Sequence, residues 1–116
     1  MKHEEIKAFL GKGAQFTGKL IFTGTVRIDG DFNGEIFGEG TLVIGEGATV
    51  EASVTADNVL ISGKACGEIE ARKRIEIYPA GHVLGNIKTP VLVVKEGAVF
   101  EGCSRMENGN YNKNNE

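Results

Sequence analysis

Hydrophobic positions recur along the chain in a short phrase made of a small residue, a variable residue and an aliphatic residue. The phrase closes at positions 20, 36, 54, 69, 87 and, in a degenerate copy, 104, with intervals of 16, 18, 15, 18 and 17 residues. A unit this short that recurs five times predicts a solenoid, in which each unit stacks on the next. The closing residues are Leu20, Ile36, Val54, Ile69 and Ile87, followed by Ser104.

Each unit carries two further apolar sets at a fixed phase. One is a doublet of aliphatic residues with one residue between them: Val26/Ile28, Leu42/Ile44, Val59/Ile61, Ile75/Ile77 and Leu92/Val94. The other is a single position filled by Phe16, Phe32, Val50, Ala65, Val83 and Phe100. Period two is typical of strands, whose side chains alternate between two faces. We therefore predict an all-β, single-domain parallel β-helix with three faces and about six coils, with these apolar residues pointing inward.

The sequence does not support two other interpretations of the glycine-rich pattern. A β-sandwich of short antiparallel strands needs tight turns such as Asn-Gly, and inside the repeat region this dipeptide occurs only at Asn33-Gly34. A phosphate-binding loop needs a helix directly after its glycines, and no helical pattern follows. We expect Gly34, Gly67 and Gly85 to lie at sharp bends, where a Cβ would obstruct the backbone or where φ is positive.

The repeat is flanked by two segments of different character. We expect residues 1–12 to be a flexible segment, residues 13–104 to form the β-helix, and the Asn-rich residues 105–116 to be disordered. Ile6, Phe9 and Leu10 are spaced to form one apolar face on a helical turn. That face has two interpretations, a cap over the first coil or a weak contact with a membrane surface.

Composition narrows the function. The chain has 116 residues, 17 of them glycine, and a net charge of -3, with its Lys and Arg interleaved with Glu. The chain has no basic stripe of the kind that binds nucleic acid, and none of its apolar runs approaches the ~18 residues needed to cross a bilayer. The N-terminus lacks the apolar core of a secretory signal, and two cysteines make no disulfide framework, so we expect a cytoplasmic protein.

Catalysis is one alternative to test, because acyltransferases and a class of zinc carbonic anhydrase are also β-helices. A catalytic zinc site of that type needs three His ligands, and the chain has only His3 and His82. The predicted coils place Cys66 and Cys103 about 10 Å apart, two coils of ~4.8 Å, which is too far for a shared metal. His82 follows a corner and precedes an inward Val83, so we expect it on the surface. We predict no enzyme activity, no metal and no cofactor.

The phrases "VRIDGDFNGEI", "GEIEARKRIEIYPAGHVLGNI" and "GAVFEGC" together resemble a known family, the bactofilins, from Phe16 to Cys103. The resemblance implies a right-handed β-helix that polymerises end to end into filaments without nucleotide and without polarity. It also implies a scaffold for cell-wall or cell-shape proteins, attached to the inner face of the cytoplasmic membrane through the N-terminal segment. On this chain the membrane contact would fall on Ile6, Phe9 and Leu10.

The residues themselves also favour self-assembly. A β-helix ends in two apolar faces rimmed by unpaired strand edges, which pair with other strands unless they are blocked. Monomeric solenoids usually carry polar caps, and none is visible after the last coil. We therefore place the polymer interface at the two ends; its candidate residues are Leu92, Val94 and Phe100 at one end, and Phe16 and Leu20 at the other. A β-helical binding module that does not polymerise remains an alternative, as does an acyltransferase.

Overall fold

The computed structural model describes residues 6–106, and the side chains of residues 9–105 within them. The described residues are almost entirely β-strand. The strands are β1 Ile6–Leu10, β2 Gln15–Ile28, β3 Asp31–Ile44, β4 Thr49–Ile61, β5 Lys64–Ile77, β6 His82–Thr89, β7 Leu92–Val94 and β8 Val99–Met106.

The strands pair in parallel, and each lies beside the strand of the next coil. The order across the sheet is β1-β2-β3-β4-β5-β6-β8, and β7 also pairs with β5. Parallel pairing of successive strands with this register winds the chain into a parallel β-helix of about six coils, as predicted. The sandwich interpretation, which requires antiparallel hairpins, is wrong.

The register reproduces the apolar columns that the sequence predicted. The aliphatic column pairs Leu20 with Ile36, and continues through Val54, Ile69, Ile87 and Ser104. The doublet column pairs Val26, Leu42, Val59, Ile75 and Leu92, and the third column pairs Phe16, Phe32, Val50, Ala65, Val83 and Phe100. Each residue therefore packs on its counterpart one coil away, and the inner members of these columns are buried.

Each coil divides into three faces, and each face is built from residues that pair from coil to coil. The first face contains residues 15–20, 31–36, 49–54, 64–69, 82–87 and 99–104. The second face contains residues 21–24, 37–40, 55–57, 70–73, 88–89 and 105–106. The third face contains residues 6–10, 25–28, 41–44, 58–61, 74–77 and 92–94.

The faces are joined by bends inside long strands and not by loops, so the three short strands expected per coil merge into one. β2, β3 and β5 each run for 14 residues. Gly34, Gly67 and Gly85 have φ values of +141°, +121° and +132°, a region that favours glycine, but they lie within the first face and not between faces. Gly24 and Gly40, with φ values of +94° and +140°, lie where the second face meets the third. In the fifth coil the strand breaks into β6 and β7 at Pro90, which has no N–H to give to a ladder.

Close approach of the backbone is the second reason for glycine in this column. A Cβ built on Gly34 would lie 1.8 Å from the carbonyl oxygen of Gly18, its partner on the preceding coil. A Cβ on Gly85 would lie 2.0 Å from the carbonyl oxygen of Gly67. Both contacts are far shorter than real carbon–oxygen contacts, so a side chain at either position would push neighbouring coils apart.

The N-terminus differs from the prediction. Residues 6–10 form strand β1 instead of a helical turn, and β1 pairs with the part of β2 that lies on the third face. Within the described residues, paired structure is therefore present from Ile6, before the predicted boundary at residue 13. At the other end β8 extends to Met106, and the remainder of the predicted tail, residues 107–116, lies outside the described residues, as do residues 1–5.

We predict that Gly34→Ala lowers the free energy of unfolding by about 2–5 kcal/mol, because it combines an unfavourable φ with a clash against backbone. Gly11→Ala is the matched control, since a Cβ at Gly11 meets no atom within 4 Å. Denaturant unfolding, followed by circular dichroism, measures both. Equal stability of the two variants would contradict the close-approach argument.

Candidate assembly surfaces

The two ends of the β-helix expose strand edges. At the N-terminal end the outermost backbone is β1 on the third face and residues 15–24 of β2 on the other two. At the C-terminal end it is β7 on the third face and β8 on the first. Among residues 6–106, no strand pairs with the outer edges of β1, β7 or β8. Such edges carry backbone donors and acceptors that a second chain can satisfy.

An aromatic stack covers the N-terminal end. The ring of Phe9 meets the edge of Phe16 with centroids 5.2 Å apart, and Phe16 stacks on Phe32 at the same distance. Phe9 is 36% exposed, while Phe16 and Leu20 are half-buried against the core. β1 therefore acts as a cap over the first coil, which is one of the two interpretations of this segment.

The cap changes the candidate membrane contact. Leu10 is only 8% exposed and belongs to the hydrophobic core, beside Ile28. In this structure Leu10 is therefore not available to a membrane, which corrects its assignment. The register slips between Ala8 and Leu10, and this irregularity turns Leu10 inward while Phe9 packs on Phe16. The side chain of Ile6 lies outside the described part of the chain.

The C-terminal end is aliphatic and more open. Leu92 and Phe100 are half-buried and pack against the core, and Val94 is 45% exposed. Val99, at 42% exposed, was not predicted. It follows the outward column of Gln15, Asp31, Thr49, Lys64 and His82. A lone apolar residue in a polar column is the sequence signal that would have identified it.

A cation–π contact beside the third face ties the last coil to the one before, and polar contacts within the β5 coil adjoin it. The Lys95 ammonium nitrogen lies 5.3 Å from the centroid of the Tyr78 ring. The Tyr78 hydroxyl donates a hydrogen bond to Glu76, and Arg74 pairs with the same carboxylate at 3.2 Å. The hydrogen bond to Glu76 raises the pKa of Tyr78, and desolvation and the negative charge of Glu76 act in the same direction, against Arg74. The phenol therefore stays neutral and keeps this contact at physiological pH.

The residues weighed for catalysis are dispersed. His82 projects outward, as predicted, with Nε2 3.8 Å from Glu101 Oε1, which is too long for a hydrogen bond. Cys66 pairs in register with Leu84, and Cys103 with Asn86, so the cysteines lie on different coils as expected. Within residues 9–105 no group of three or more His, Cys, Asp or Glu side chains is placed to hold a metal ion.

The sides of the β-helix carry two features that the sequence analysis missed. An open groove of about 440 Å³ runs along the junction of the first and second faces, and Glu68, Glu70 and Arg105 are among the residues that line it. In the first two coils the same side of the second face carries Ile21 and Phe37, which are neighbours in register and are 67% and 47% exposed. Their outward position in a period-two pattern was the available signal.

Comparisons with known proteins identify relatives of this chain. The bactofilin family model, described as polymer-forming cytoskeletal, matches residues 8–105. Two curated relatives come from Myxococcus xanthus (strain DK1622). Bactofilin BacP is 28% identical over 93 residues, 80% of this chain, and bactofilin BacO is 29% identical over 98 residues, 84% of this chain. The match spans 39% of BacP and 78% of BacO, so the chain corresponds to less than half of the BacP length.

A solved structure matches the fold over nearly its whole length. It is the cryo-EM reconstruction of Thermus thermophilus bactofilin double helical filaments, with a TM-score of 0.75 and 32% identity, covering 84% of this chain and 98% of the other. None of the described residues belongs to a helix that is long and apolar enough to span a membrane.

We predict that Phe9→Ala lowers the free energy of unfolding by about 1–2 kcal/mol, because it removes an aromatic pair and uncovers Phe16. Lys12→Ala, an exposed position just after β1, is the control and should leave stability unchanged. Denaturant unfolding of both variants measures the difference. An unchanged Phe9→Ala protein would argue against the cap.

Proposed function

Since the chain belongs to the bactofilin family, we propose that it is a cytoskeletal scaffold protein that assembles end to end into filaments without nucleotide. The proposal treats the protein as a structural element and not as an enzyme. Family membership supplies the polymer-forming class, and the surfaces of this chain supply the way in which its subunits would join.

The observation that carries the proposal is the chemistry of the two ends. Val94 and Val99 leave nearly half of their surface exposed at the C-terminal end, beside the free edges of β7 and β8. Apolar surface next to unpaired backbone favours association with another strand edge. When each end meets its own copy about a two-fold axis, both contacts are isologous, and repetition gives an open filament without polarity.

The relative from Thermus thermophilus forms double helical filaments. We extend that level of assembly to this chain, so that two filaments wind around each other. A paired filament needs a contact on the side of each subunit in addition to the contacts at its ends. We further propose that the filaments lie in the cytoplasm at the inner face of the membrane, where they organise cell-envelope or cell-shape proteins.

The experiment that tests the proposal is assembly of purified, nucleotide-free protein. Light scattering and electron microscopy should show filaments in buffer, and added ATP or GTP should change neither their amount nor their length. A stable monomer, or assembly that strictly requires nucleotide, would overturn the filament proposal and favour the alternative of a β-helical binding module.

The variant Phe100→Arg tests the C-terminal joint. Phe100 closes the column above Val83, so an arginine there would place a charge at the centre of the contact, and the two-fold axis would bring in a second one. Truncation of an aromatic anchor commonly costs ≥ ~2 kcal/mol, and burying like charges adds to that cost. We expect a folded small species by sedimentation and circular dichroism. Glu46→Arg, an exposed turn residue of an inner coil, is the control and should polymerise normally.

Two further outcomes would count against the C-terminal joint. Filaments of unchanged length in Phe100→Arg would place the contact elsewhere on the molecule. An unfolded Phe100→Arg chain would mean that this side chain belongs to the core, and the exposed Val94→Arg would then serve as the second test of the same end.

The membrane contact remains a proposal, and Phe9 is the described side chain that supports it. One copy offers little apolar surface, but a filament presents many copies in line, which can raise avidity by ~10²–10⁴. We expect Ile6→Ser with Phe9→Ser to reduce co-sedimentation with liposomes at least about tenfold, while filaments still form. Lys12→Ser is the control. Unchanged liposome binding by the double variant would exclude this segment as the anchor.

A further inference from the structure

The exposed pair Ile21 and Phe37, here called the lateral patch, is the strongest apolar feature on the sides of the β-helix. Ile21 is 67% exposed and Phe37 is 47% exposed, and they are direct neighbours on the first and second coils. Their outward column continues with polar and charged residues, namely Thr55, Glu70, Lys88 and Arg105. Apolar surface is therefore confined to the end of the column that is nearest the N-terminal joint.

The surroundings of the patch hold it in place. The Arg72 guanidinium carbon lies 5.6 Å from the centroid of the Phe37 ring. Arg72 also donates to the Gly38 carbonyl oxygen at 3.1 Å and to Asp57 Oδ1 at 2.8 Å. The Arg72 guanidinium thus holds one face of the Phe37 ring in place, and its own positive charge is partly neutralised by Asp57. Phe37 is therefore a pre-arranged aromatic surface, and its exposed part lies beside Ile21.

Polymerisation would enlarge this patch, and the inference therefore rests on the proposed end-to-end filament. Among residues 6–106, Ile21 lies on the outermost backbone of the second face, because β1 covers the third face alone. A two-fold joint between N-terminal ends brings two first coils together. With the two-fold axis on the second face, Phe37, Ile21 and their two counterparts form one stripe that spans about three coil spacings of ~4.8 Å.

We propose that this stripe is the lateral contact through which two filaments of this chain pair. Continuity with the end joint is the first argument, since the stripe is complete only in an assembled filament. The charges around it are the second argument. Lys19, Glu35 and Glu39 flank the patch and are exposed, so both signs are present and a two-fold partner can set acid against base. An anionic lipid surface selects for clustered basic residues instead.

The small size of the stripe fits filament pairing. Two side chains per subunit make a contact too small to hold two monomers together, since stable interfaces bury at least ~1,000 Å². Along a filament the stripe recurs at every N-terminal joint, and successive weak contacts act together. Pairing should therefore depend on filament length and should be absent from small species such as Phe100→Arg.

The test compares Ile21→Glu with Phe37→Glu, as one double variant, against Thr17→Glu with Asn33→Glu. The control residues lie on the same two coils, are also exposed to solvent and add the same charge, but they lie on the first face. Purified nucleotide-free proteins are imaged by electron microscopy, and filaments are scored as single or paired. We expect the patch variant to form single filaments of normal length, with at least tenfold fewer pairs, and the control to pair as the wild type does.

Several results would overturn the inference. They are unchanged pairing in the patch variant, equal loss in the control, and wild-type filaments that are only single. Absence of wild-type filaments would instead overturn the filament proposal itself. The uncharged variant Ile21→Ser with Phe37→Ser distinguishes a lateral contact from a role in the end joint. Single long filaments of this variant would support the lateral contact. Loss of its filaments would place both residues in the end joint and would overturn the inference. If the patch variant loses liposome binding while its filaments still pair, the patch contacts lipid, and the inference of a lateral contact is overturned.

Discussion

Parallel pairing between coils is the constraint on which the rest of this structure depends. The 14-residue ladder between β2 and β3 continues around bends without losing register, so each coil obtains its backbone hydrogen bonds from its neighbours. The same register stacks like on like, and side chains from successive coils fill one core. A shift by one residue would turn a whole apolar column to solvent, so the spacing of the repeat is strictly constrained. Glycine at Gly34 and Gly85 follows from this demand, because adjacent backbones approach too closely there for a Cβ.

Open ends are the unavoidable consequence of such pairing. A stack of coils can always accept another strand at each end, and the two ends of this β-helix differ in how far they are covered. At the N-terminal end, β1 supplies a sixth row on the third face and Phe9 covers Phe16. At the C-terminal end, the short β7 leaves Val94 exposed. In the proposed filament, the features that build the subunit also supply the surfaces that join subunits.

The sides of the β-helix are chemically independent of its core. Outward residues alternate with inward ones along each strand, so the outward columns can vary without disturbing the apolar ladders. Most of them are polar, and cross-coil contacts such as Asn33 with Glu51 and Asn58 with Thr41 run along them. Against that background the neighbours Ile21 and Phe37 are a local exception that contributes nothing to core packing. In the proposed assembly, this separation lets elongation and lateral pairing use different surfaces of one small domain.

The sequence by itself determined the coils, their register and the identity of the core columns. It could do so because a parallel β-helix repeats one local rule, inward and outward alternation at a fixed phase, and that rule is written directly in the order of residues. The family resemblance followed from the same phrases. The need for glycine at Gly34, Gly67 and Gly85 was also predicted, although the atom that excludes a side chain at Gly34, the Gly18 carbonyl oxygen at 1.8 Å from a Cβ, was not.

Only the tertiary structure decided what happens at the edges of that rule. Ile6, Phe9 and Leu10 have helical spacing, yet the unpaired edge of residues 25–28 offers hydrogen bonds and Phe16 offers a ring to stack on, so the segment becomes a strand. The slip between Ala8 and Leu10 then buries Leu10, which no regular alternation would predict. The exposure of Val94 likewise depends on its neighbours, because it occupies an inward position of the doublet but no described coil lies beyond β7 to cover it. Local pattern is sufficient inside a repeat, but at its ends and on its outer surface the available neighbours decide, and these exist only once the chain has folded.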